Sequence, residues 1–325
     1  MKAAVVTEQG LALRDIAIPK PGPEQILVRL RAIGLNRADL GIAAGHAHGA
    51  VGGLGAIPGL EAAGEVVECG ADVPDHIKPG MRVMGGMNAS YAEYTVTDWG
   101  RVNPVPDTNM SWEVAATLPV AMQTMHDAVV THGLAGPGHA VMIQGASSGV
   151  GLMGLQIARM MGATVVVGSS TNPLKRARLG EFGATLAVDT EDPAWVKQVL
   201  DATDGRGVDS VVDMISGPLV SQTLAATRIL GRIVNVGRLG GARSEFDFDL
   251  HAARRISYIG VTFRTRSTEE VREIVRRMRA DLWPALEAGQ LALPIDRSFH
   301  LDDVVEALAH MKANAHFGKI VMLTG

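Results

Sequence analysis

The feature that most constrains this chain is a glycine-rich turn between two apolar segments near its middle. An apolar run at residues 140–144 leads into Gly145-Ala-Ser-Ser-Gly-Val-Gly151, and a helix-like apolar segment, Leu152–Met161, follows. A turn of small residues that opens a helix lets backbone N–H groups meet a pyrophosphate at close range. Close packing alone also explains such glycines, but a second apolar strand at Thr164–Val167 completes the order expected for a dinucleotide site. The predicted cofactor contacts in the turn are Ala146, Ser147, Ser148, Gly149, Val150 and Gly151.

The end of the second strand indicates which dinucleotide is bound. Sheets that bind NAD usually carry an acidic residue here for the ribose hydroxyls, whereas this chain has Ser169 and Ser170, followed by Lys175. A carboxylate would repel a 2′-phosphate, while a hydroxyl and a cation bind it through charge-assisted hydrogen bonds worth roughly 1.5–3 kcal/mol each. We therefore predict NADPH as the cofactor, with Ser169, Ser170 and Lys175 among its contacts. Arg176 and Arg178 fit a solvated helix face at least as well.

The patterns on either side of the turn predict two domains, as the length of 325 residues suggests. Residues 1–119 contain short apolar runs separated by Pro and Gly, which predict a compact antiparallel β domain with a loop over the glycine-rich stretch Gly41–Gly59. From about residue 120 strands alternate with helices, which predicts a doubly wound parallel sheet. A long amphipathic helix at Thr268–Leu286 and a closing strand at Lys319–Leu323 follow.

Composition argues against several classes of partner and location. The net charge of −4 and the aromatic content of 4% disfavour binding to nucleic acid or to anionic lipid. The N-terminal apolar stretch is too short for a signal peptide, and glycines and polar residues interrupt the longest apolar region, Ala140–Gly168, so we expect no membrane span. Cys69 is the only cysteine, which excludes an intrachain disulfide and a cysteine-rich zinc site and fits a reducing cytoplasm.

Several motifs in order resemble the medium-chain dehydrogenase/reductase superfamily, and within it the zinc-free, zeta-crystallin-like quinone oxidoreductases. Besides the glycine turn, the matching segments are Gly34–Asp39, Pro58–Val66, Gly231–Gly237 and Phe317–Met322. The resemblance covers essentially the whole chain. It implies a GroES-like β-rich catalytic domain made of residues 1–119 and 262–325. It also implies an inserted Rossmann domain, with the doubly wound parallel sheet, over residues 120–261.

The departures from the zinc-dependent members of that superfamily point to a metal-free site. Asn36 stands where those enzymes have the first zinc-binding Cys, and Leu60 stands where they have His before Glu61. No Cys or Asp lies near Met122–Met125 to supply a third ligand, and the four-cysteine lobe is missing. Zinc needs three or four N, S or carboxylate ligands. Without a Lewis acid, the hydride acceptor must already be electrophilic, as a quinone or an α,β-unsaturated ketone is.

The resemblance also implies roles for individual residues. Asn36 is expected beside the nicotinamide, where its amide would donate a hydrogen bond to the substrate oxygen; the alternative is that it satisfies local backbone. Thr124 resembles a threonine near the cofactor, and a helix-start role is the competing interpretation. The backbone of Asn235, Val236 and Gly237 is expected near the nicotinamide carboxamide. Lys319 is expected to approach the cofactor phosphates.

Two histidines in the glycine-rich stretch need separate weighing. In several relatives a tyrosine of this loop contributes to the quinone pocket, and the matching stretch here is Gly45-His46-Ala47-His48. A histidine can donate a proton after hydride transfer, and we take His46 as the candidate, with His48 as the alternative. Both histidines can also be polar side chains of a flexible loop. A metal site at this pair lacks further ligands nearby in the sequence.

These observations predict an NADPH-dependent oxidoreductase that transfers hydride to a quinone without metal. Two alternatives stay open: an NADPH-dependent reductase of enones or other activated alkenes, and an NADPH-binding protein with little catalysis. A short-chain dehydrogenase is excluded, because no tyrosine has a lysine four positions later: Tyr91, Tyr94 and Tyr258 are followed there by Thr95, Asp98 and Thr262. The expected partners are a small electrophilic substrate and a second copy of the chain, which would pair through a strand at Arg255–Thr262.

Overall fold

The computed structural model describes residues 1–49, 51–106 and 109–325. They form two compact units. The first, here called the β-rich unit, contains Met1–Gln123 and Phe263–Gly325, and the second, the parallel-sheet unit, contains Thr124–Thr262. The predicted boundaries lay between residues 119 and 120 and between residues 261 and 262. The α/β fold, with a GroES-like N-terminal part and a parallel Rossmann sheet, is confirmed.

The β-rich unit is built around a sheet whose central strand is β3, Gln25–Gly34. The sheet order is β14-β15-β3-β4-β5-β7, and β6 also pairs with β3. β3 pairs antiparallel with β4, β6 and β15, so the predicted antiparallel character holds around it. The strands of this unit are β1 Lys2–Thr7, β2 Gly10–Asp15, β3, β4 Glu61–Cys69, β5 Arg82–Gly86, β6 Tyr94–Asp98, β7 Val102–Pro104, β14 Ile295–His300 and β15 Lys319–Leu323.

Apolar residues on β3 explain where the core of this unit lies. Ile26, Val28, Leu30 and Ile33 are at most 1% exposed and pack in one cluster with Met311 and other residues of the last helix. The helices of this unit are α1 Arg37–Ala43, α2 Trp112–Thr117, α9 Thr268–Glu287 and α10 Val304–Lys312, and α3 Pro119–Met125 begins in it. Among them, α9 matches the predicted amphipathic helix, and Ser267 and Glu270 close its start as a capping box.

The structure corrects the predicted start of the glycine-rich loop. The loop was expected to span Gly41–Gly59, but α1 runs to Ala43 and so enters that stretch. Asn36 is the N-cap residue of α1, and the side chain of Asp39, three residues later, accepts a hydrogen bond from the backbone N–H of Asn36 at 2.8 Å. This reach-back bond satisfies one of the donors that a helix start leaves open, and it supports a helix where periodicity gave no signal. Residue 50, within the predicted loop, lies outside the described residues.

In the parallel-sheet unit the strand order is β10-β9-β8-β11-β12-β13, and every neighbouring pair is parallel. Parallel strands bring their carboxyl ends to one edge of the sheet, where ligands bind in such folds. That edge carries Gln144, Ser169, Asp213, Asn235 and Gly260, the last residues of β8, β9, β11, β12 and β13. The strands are β8 Ala140–Gln144, β9 Val165–Ser169, β10 Leu186–Val188, β11 Val208–Asp213, β12 Thr227–Asn235 and β13 Ser257–Gly260.

Helices cover this sheet and bury its apolar side chains. Met142, Val167, Val211 and Ile233 share a core cluster with Trp195 and other residues of α6 and α7. The helices are α4 Gly149–Met160, α5 Pro173–Arg176, α6 Trp195–Asp201, α7 Val220–Ala226 and α8 Phe248–Arg254, with a π-helix at His126–His132. Over the described residues, no helix combines the length and the apolar character that crossing a bilayer requires.

Candidate functional site

The glycine turn leaves two backbone donors open at the start of α4. Ser148 caps the helix: its hydroxyl accepts from the N–H of Gly151 at 3.1 Å and donates to the carbonyl of Gly145 at 3.0 Å. The N–H groups of Gly149 and Val150 find no acceptor in the described part of the chain. A helix of 12 residues with free N–H groups at its start offers an anion site. The turn therefore fits the pyrophosphate of a dinucleotide.

Packing constrains the same turn. A Cβ on Gly151 would lie 2.6 Å from both the Cα of Ala146 and the carbonyl oxygen of Gly145, which no side chain tolerates. Gly145 has φ of +75°, in the left-handed region that favours glycine. The geometry is thus compatible with both interpretations of these glycines, close packing and phosphate binding. The glycines allow the tight turn, and the turn exposes the free N–H groups of residues 149 and 150.

Serine side chains link the turn to the end of β9. The hydroxyl of Ser170 donates to the hydroxyl of Ser147 at 3.0 Å, and the hydroxyl of Ser169 accepts from the N–H of Gly145 at 3.1 Å. Ser169 and Ser170 are 2% and 7% exposed. The structure thus brings together the serines from both predicted segments, at the place where an NAD-binding sheet would carry an acidic residue.

The three cations after β9 differ in their surroundings. Lys175 is buried, at 9% exposed. Arg176 donates to the carbonyl of Ser170 at 2.7 Å and pairs with Asp189 at 2.9 Å, so it lies beside the strand end and is not merely solvated. Arg178 pairs with Glu181 at the surface. Of the two arginines that the sequence left open, only Arg176 adjoins the serine cluster.

At the end of β12 the backbone donors are already used. The N–H groups of Val236 and Gly237 both donate to the carbonyl of Asp213, at 2.8 and 3.1 Å. The side-chain amide of Asn235 donates to the hydroxyl of Ser216 and to the carbonyl of Gly237. A carboxamide held by these residues would therefore find acceptors rather than backbone N–H donors. The contact of Asn235, Val236 and Gly237 with the nicotinamide stays a prediction.

The β-rich unit contains a buried ion pair that links distant parts of the chain. Lys319 and Glu61 are 3% and 0% exposed, and the Lys319 Nζ lies 2.5 Å from Glu61 Oε1. The same ammonium donates to the carbonyl of Leu35 at 2.8 Å and to Asn36 Oδ1 at 3.2 Å. The second carboxylate oxygen of Glu61 accepts from the N–H of Val120 at 2.8 Å. The charges of Lys319 and Glu61 thus compensate each other, and their polar atoms find hydrogen-bond partners within this buried cluster.

This cluster changes the expectations for two predicted residues. All three donors of the Lys319 ammonium are engaged within the protein, so we withdraw its assignment to the cofactor phosphates. Asn36 is fixed at both ends of its amide: Nδ2 donates to Glu61 Oε1 at 2.8 Å and more weakly to the Gly34 carbonyl at 3.4 Å, and Oδ1 accepts from Lys319. The Asn36 amide therefore serves to hydrogen-bond its neighbours in the protein. It could donate to a substrate only by giving up one of these hydrogen bonds.

Asp39 adds a second buried carboxyl next to the ion pair. Its Oδ2 accepts from the Asn36 N–H at 2.8 Å and from the Tyr91 hydroxyl at 3.0 Å. Its Oδ1 is buried and finds no hydrogen-bond partner among the described residues. Burial raises the pKa of Asp39 to about 7 and also raises the pKa of Tyr91 well above its usual value. Asp39 thus orients the backbone at Asn36.

The raised pKa predicts a pH dependence that replacement of Asp39 by asparagine should remove. The folded state binds the proton more tightly than the unfolded chain, so wild-type stability relative to Asp39→Asn falls as pH rises from about 4 to about 7. The full difference amounts to roughly 4 kcal/mol. Denaturant unfolding of both proteins at pH 5 and pH 8 measures the part of this difference that falls in that window, roughly 3 kcal/mol. If the difference in free energy of unfolding between the two proteins were the same at both pH values, the Asp39 carboxyl would titrate normally.

The remaining candidates lie in different surroundings. His46 is exposed and its backbone N–H donates to the carbonyl of Gly41. His48 is half-buried, and burial, with the nearby positive charge of Arg264, lowers its pKa below the usual value. Thr124 is half-buried near the end of α3, so its helix-start interpretation is wrong. Of the two histidines, His48 is the one that the fold holds in a defined environment, which the sequence gave no means to predict.

The donor set for a metal ion is also absent from the part of the chain that the structure describes. No group of three or more His, Cys, Asp or Glu side chains in residues 1–49, 51–106 and 109–325 is placed to hold one. Glu61, which adjoins the position of a zinc ligand in related enzymes, directs both oxygens to Lys319, Asn36 and the Val120 N–H.

Comparison with known proteins identifies the family. The model for an alcohol dehydrogenase GroES-like domain matches residues 22–107, and the model for a zinc-binding dehydrogenase matches residues 149–280. The chain belongs to the medium-chain dehydrogenase/reductase superfamily. Members of this superfamily are oxidoreductases that bind a nicotinamide cofactor.

Individual relatives fall into two groups. Quinone oxidoreductase-like protein 2 of Rattus norvegicus is 28% identical over 325 residues, which are 99% of this chain and 91% of that protein. A mycobacterial quinone oxidoreductase structure is 25% identical, covers both chains fully and superimposes with a TM-score of 0.88. The highly reducing polyketide synthase easB of Emericella nidulans is 26% identical over 313 residues, 95% of this chain. The chain spans 5% to 14% of the length of the polyketide synthases it matches.

Proposed function

We propose that this protein is a metal-independent reductase that uses NADPH to reduce a quinone. The observation that carries the proposal is the serine cluster of Ser147, Ser169 and Ser170 at the edge of the parallel sheet, beside the free N–H groups of α4. When bound, the nicotinamide supplies the hydride for the reduction. The chain supplies the binding site and the selection of the phosphorylated cofactor.

Each part of the turn has a defined task in this proposal. The N–H groups of Gly149 and Val150 bind the pyrophosphate, since they are free donors at the positive end of a helix. The hydroxyl of Ser147 donates to the 2′-phosphate, the hydroxyl of Ser170 does so once it turns away from Ser147, and Lys175 and Arg176 lower the cost of the negative charge. A carboxylate at residue 170 would oppose that charge. The site therefore selects NADPH over NADH.

The proposal of metal independence rests on the residues around Glu61. A catalytic zinc requires three protein ligands and an open position. Here Asn36 and Leu60 stand at two of the ligand positions, and the carboxylate of Glu61 is occupied by the buried Lys319 ammonium. An acceptor that is already electrophilic needs no Lewis acid, which favours quinones over simple aldehydes and ketones.

A second candidate function is the reduction of an activated alkene. The matches to highly reducing polyketide synthases favour it, because they cover nearly all of this chain. Both reactions use the same hydride donor and the same metal-free site, and they differ in the atom that accepts the hydride. The residues described here fit both acceptors.

Steady-state kinetics with a panel of acceptors tests the proposal. At saturating NADPH we expect kcat/KM to be highest for 9,10-phenanthrenequinone or 1,4-benzoquinone and at least tenfold lower for a simple enone. The opposite ranking would establish the alkene reductase instead. Saturable binding of NADPH with no turnover of any acceptor would support a cofactor-binding protein with little catalysis.

We further propose a homodimer in a reducing cytoplasm. β13 is the terminal strand in the sheet order, and in the described residues no strand pairs with its outer edge. An open edge of this kind is a template for pairing with a second copy. A single, partly buried Cys69 is compatible with a reducing compartment. Light scattering after gel filtration distinguishes a dimer from a monomer.

A further inference from the structure

The parallel-sheet unit contains a cavity that the proposed reaction does not use. It has a volume of about 700 Å³ and lies beside the end of β12, the start of β13 and the start of α8. That volume is within the range of roughly 300–1,000 Å³ found for small-molecule sites. We call it the β12–β13 pocket and define it by six of its lining residues: Ser216, Asn235, Arg243, Phe246, Phe248 and Tyr258. No residue of the glycine turn, and neither Ser169, Ser170 nor Lys175, lines it.

Aromatic side chains form one wall of the β12–β13 pocket. The ring centroid of Phe246 lies 4.9 Å from that of Phe248 and 5.9 Å from that of Tyr258. The whole chain has 6 Phe and 3 Tyr, so this is a concentration of a scarce residue type. Phe248 is 74% exposed, which leaves its ring open to a ligand. Rings arranged in this way accept a further planar ring by stacking or by edge-to-face contact.

The floor of the pocket contains a strained residue. Ser216 has φ of +58° and ψ of −145°, a conformation that costs a residue with a side chain roughly 1–3 kcal/mol. Asp213 holds it there: Oδ1 accepts from the N–H groups of Ile215 and Ser216, both at 2.8 Å. The Ser216 hydroxyl accepts from the side chain of Asn235 and donates to the carbonyl of Gly237 at 2.9 Å. Backbone strain at the floor of a cavity is typical of a functional site.

Charge at the rim favours an anion. Arg238 and Arg243 both line the cavity, both are exposed, and neither forms an ion pair with a carboxylate of the described residues. Glu245 also lines it, so one positive charge remains in excess. Asp213 is buried behind the floor, where Ile215 and Ser216 donate to its oxygens, and its charge acts on Arg238, so Arg243 carries the excess positive charge at the rim. A ligand acid group would therefore meet arginine side chains at the mouth.

We propose that the β12–β13 pocket binds a planar aromatic compound that carries an acidic group. The ring system stacks against Phe246 and Phe248, its polar edge meets Ser216 and Tyr258, and the acid group lies between Arg238 and Arg243. This site does not depend on the reaction proposed above. It shares only Asn235 with the residues predicted to contact the cofactor.

Isothermal titration of the full chain with 2-naphthoate, and with the neutral 2-naphthamide, tests the site. The two probes match in shape and differ in charge, and neither is reducible like a quinone. We expect saturable binding of 2-naphthoate that is at least threefold tighter than binding of 2-naphthamide. It should persist at saturating NADP⁺. Absence of saturable binding, or its loss when NADP⁺ is added, would overturn the proposal, because the pocket would then be empty or would belong to the cofactor.

Variants at exposed positions assign the binding to this pocket. The double change Arg238→Gln with Arg243→Gln should weaken 2-naphthoate binding about tenfold and leave 2-naphthamide unchanged. Phe248→Ala should weaken both probes about fivefold. Arg206→Gln, an exposed arginine of the same unit that does not line the cavity, is the matched control and should change neither. Equal effects of Arg206→Gln and of the double variant would place the binding elsewhere.

Discussion

Replacement of Lys319 by methionine lowers the free energy of unfolding by about 3–5 kcal/mol, the cost of breaking a buried ion pair on one side. The carboxylate of Glu61 is fully buried and would lose the partner that lies 2.5 Å away. The carbonyl of Leu35 and the amide oxygen of Asn36 would lose a donor as well. Methionine has similar length and no charge, so packing is largely retained. Equilibrium unfolding in urea measures the difference.

Two further variants separate the buried pair from a general effect of losing a lysine. Lys197→Met removes a lysine whose side chain is 76% exposed in an ion pair with Asp201, and it should leave stability unchanged. Adding Glu61→Gln to Lys319→Met should recover part of the loss, because no uncompensated charge is then buried. If Lys319→Met were as stable as Lys197→Met, the ion pair would not contribute to the folded state as described.

Replacement of Ser170 by aspartate weakens NADPH binding by about tenfold to a thousandfold, while NADH binding changes far less. The new carboxylate would take the place of a hydroxyl that lies 3.0 Å from the Ser147 hydroxyl, and it would repel a 2′-phosphate there. NADH has hydroxyls at the same ribose, which a carboxylate accepts. Fluorescence titration of each reduced cofactor gives the dissociation constants.

Ser170→Ala is the matched control for that experiment. It removes the hydroxyl without adding charge, so NADPH binding should weaken by less than in the aspartate variant, and the preference for NADPH should persist. An aspartate variant that binds NADPH and NADH as the wild type does would show that residue 170 does not contact the ribose phosphate.

The parallel-sheet unit is the part of the fold that the sequence predicted most fully. Its apolar strands are rich in β-branched residues and are separated by helices, so the type and the order of its secondary-structure elements follow from the local sequence pattern. The strand predicted at Thr164–Val167 is β9, Val165–Ser169, and the helix-like segment at Leu152–Met161 is part of α4, Gly149–Met160. The glycine turn was found because its function depends on residues that are adjacent in the chain.

Elements with weak local signals were missed. β10 has only the residues Leu186–Val188, and α6 begins at Trp195 without a side-chain cap. Both are stabilised by contacts with the rest of the sheet, such as the burial of Trp195 in the core cluster. A short element that depends on tertiary packing leaves little periodicity in the sequence.

The buried cluster could not be predicted for a different reason. Lys319 and Glu61 are 258 positions apart, and each looks in the sequence like an ordinary charged residue next to a strand. The family resemblance implied that Lys319 approaches the cofactor phosphates and gave no indication of its contact with Glu61. Only the three-dimensional register of β15 beside β3 and β4 brings the two side chains together. The strain at Ser216 is likewise invisible in a list of residues.

The rate of NADPH and NADH oxidation at 340 nm with 9,10-phenanthrenequinone, after dialysis against a zinc chelator, tests the central claim most directly. We predict turnover that is undiminished by the chelator and at least tenfold higher in kcat/KM with NADPH than with NADH. Activity that is abolished by the chelator and restored by zinc, or an equal rate with NADH, would contradict a metal-independent, NADPH-selective reductase.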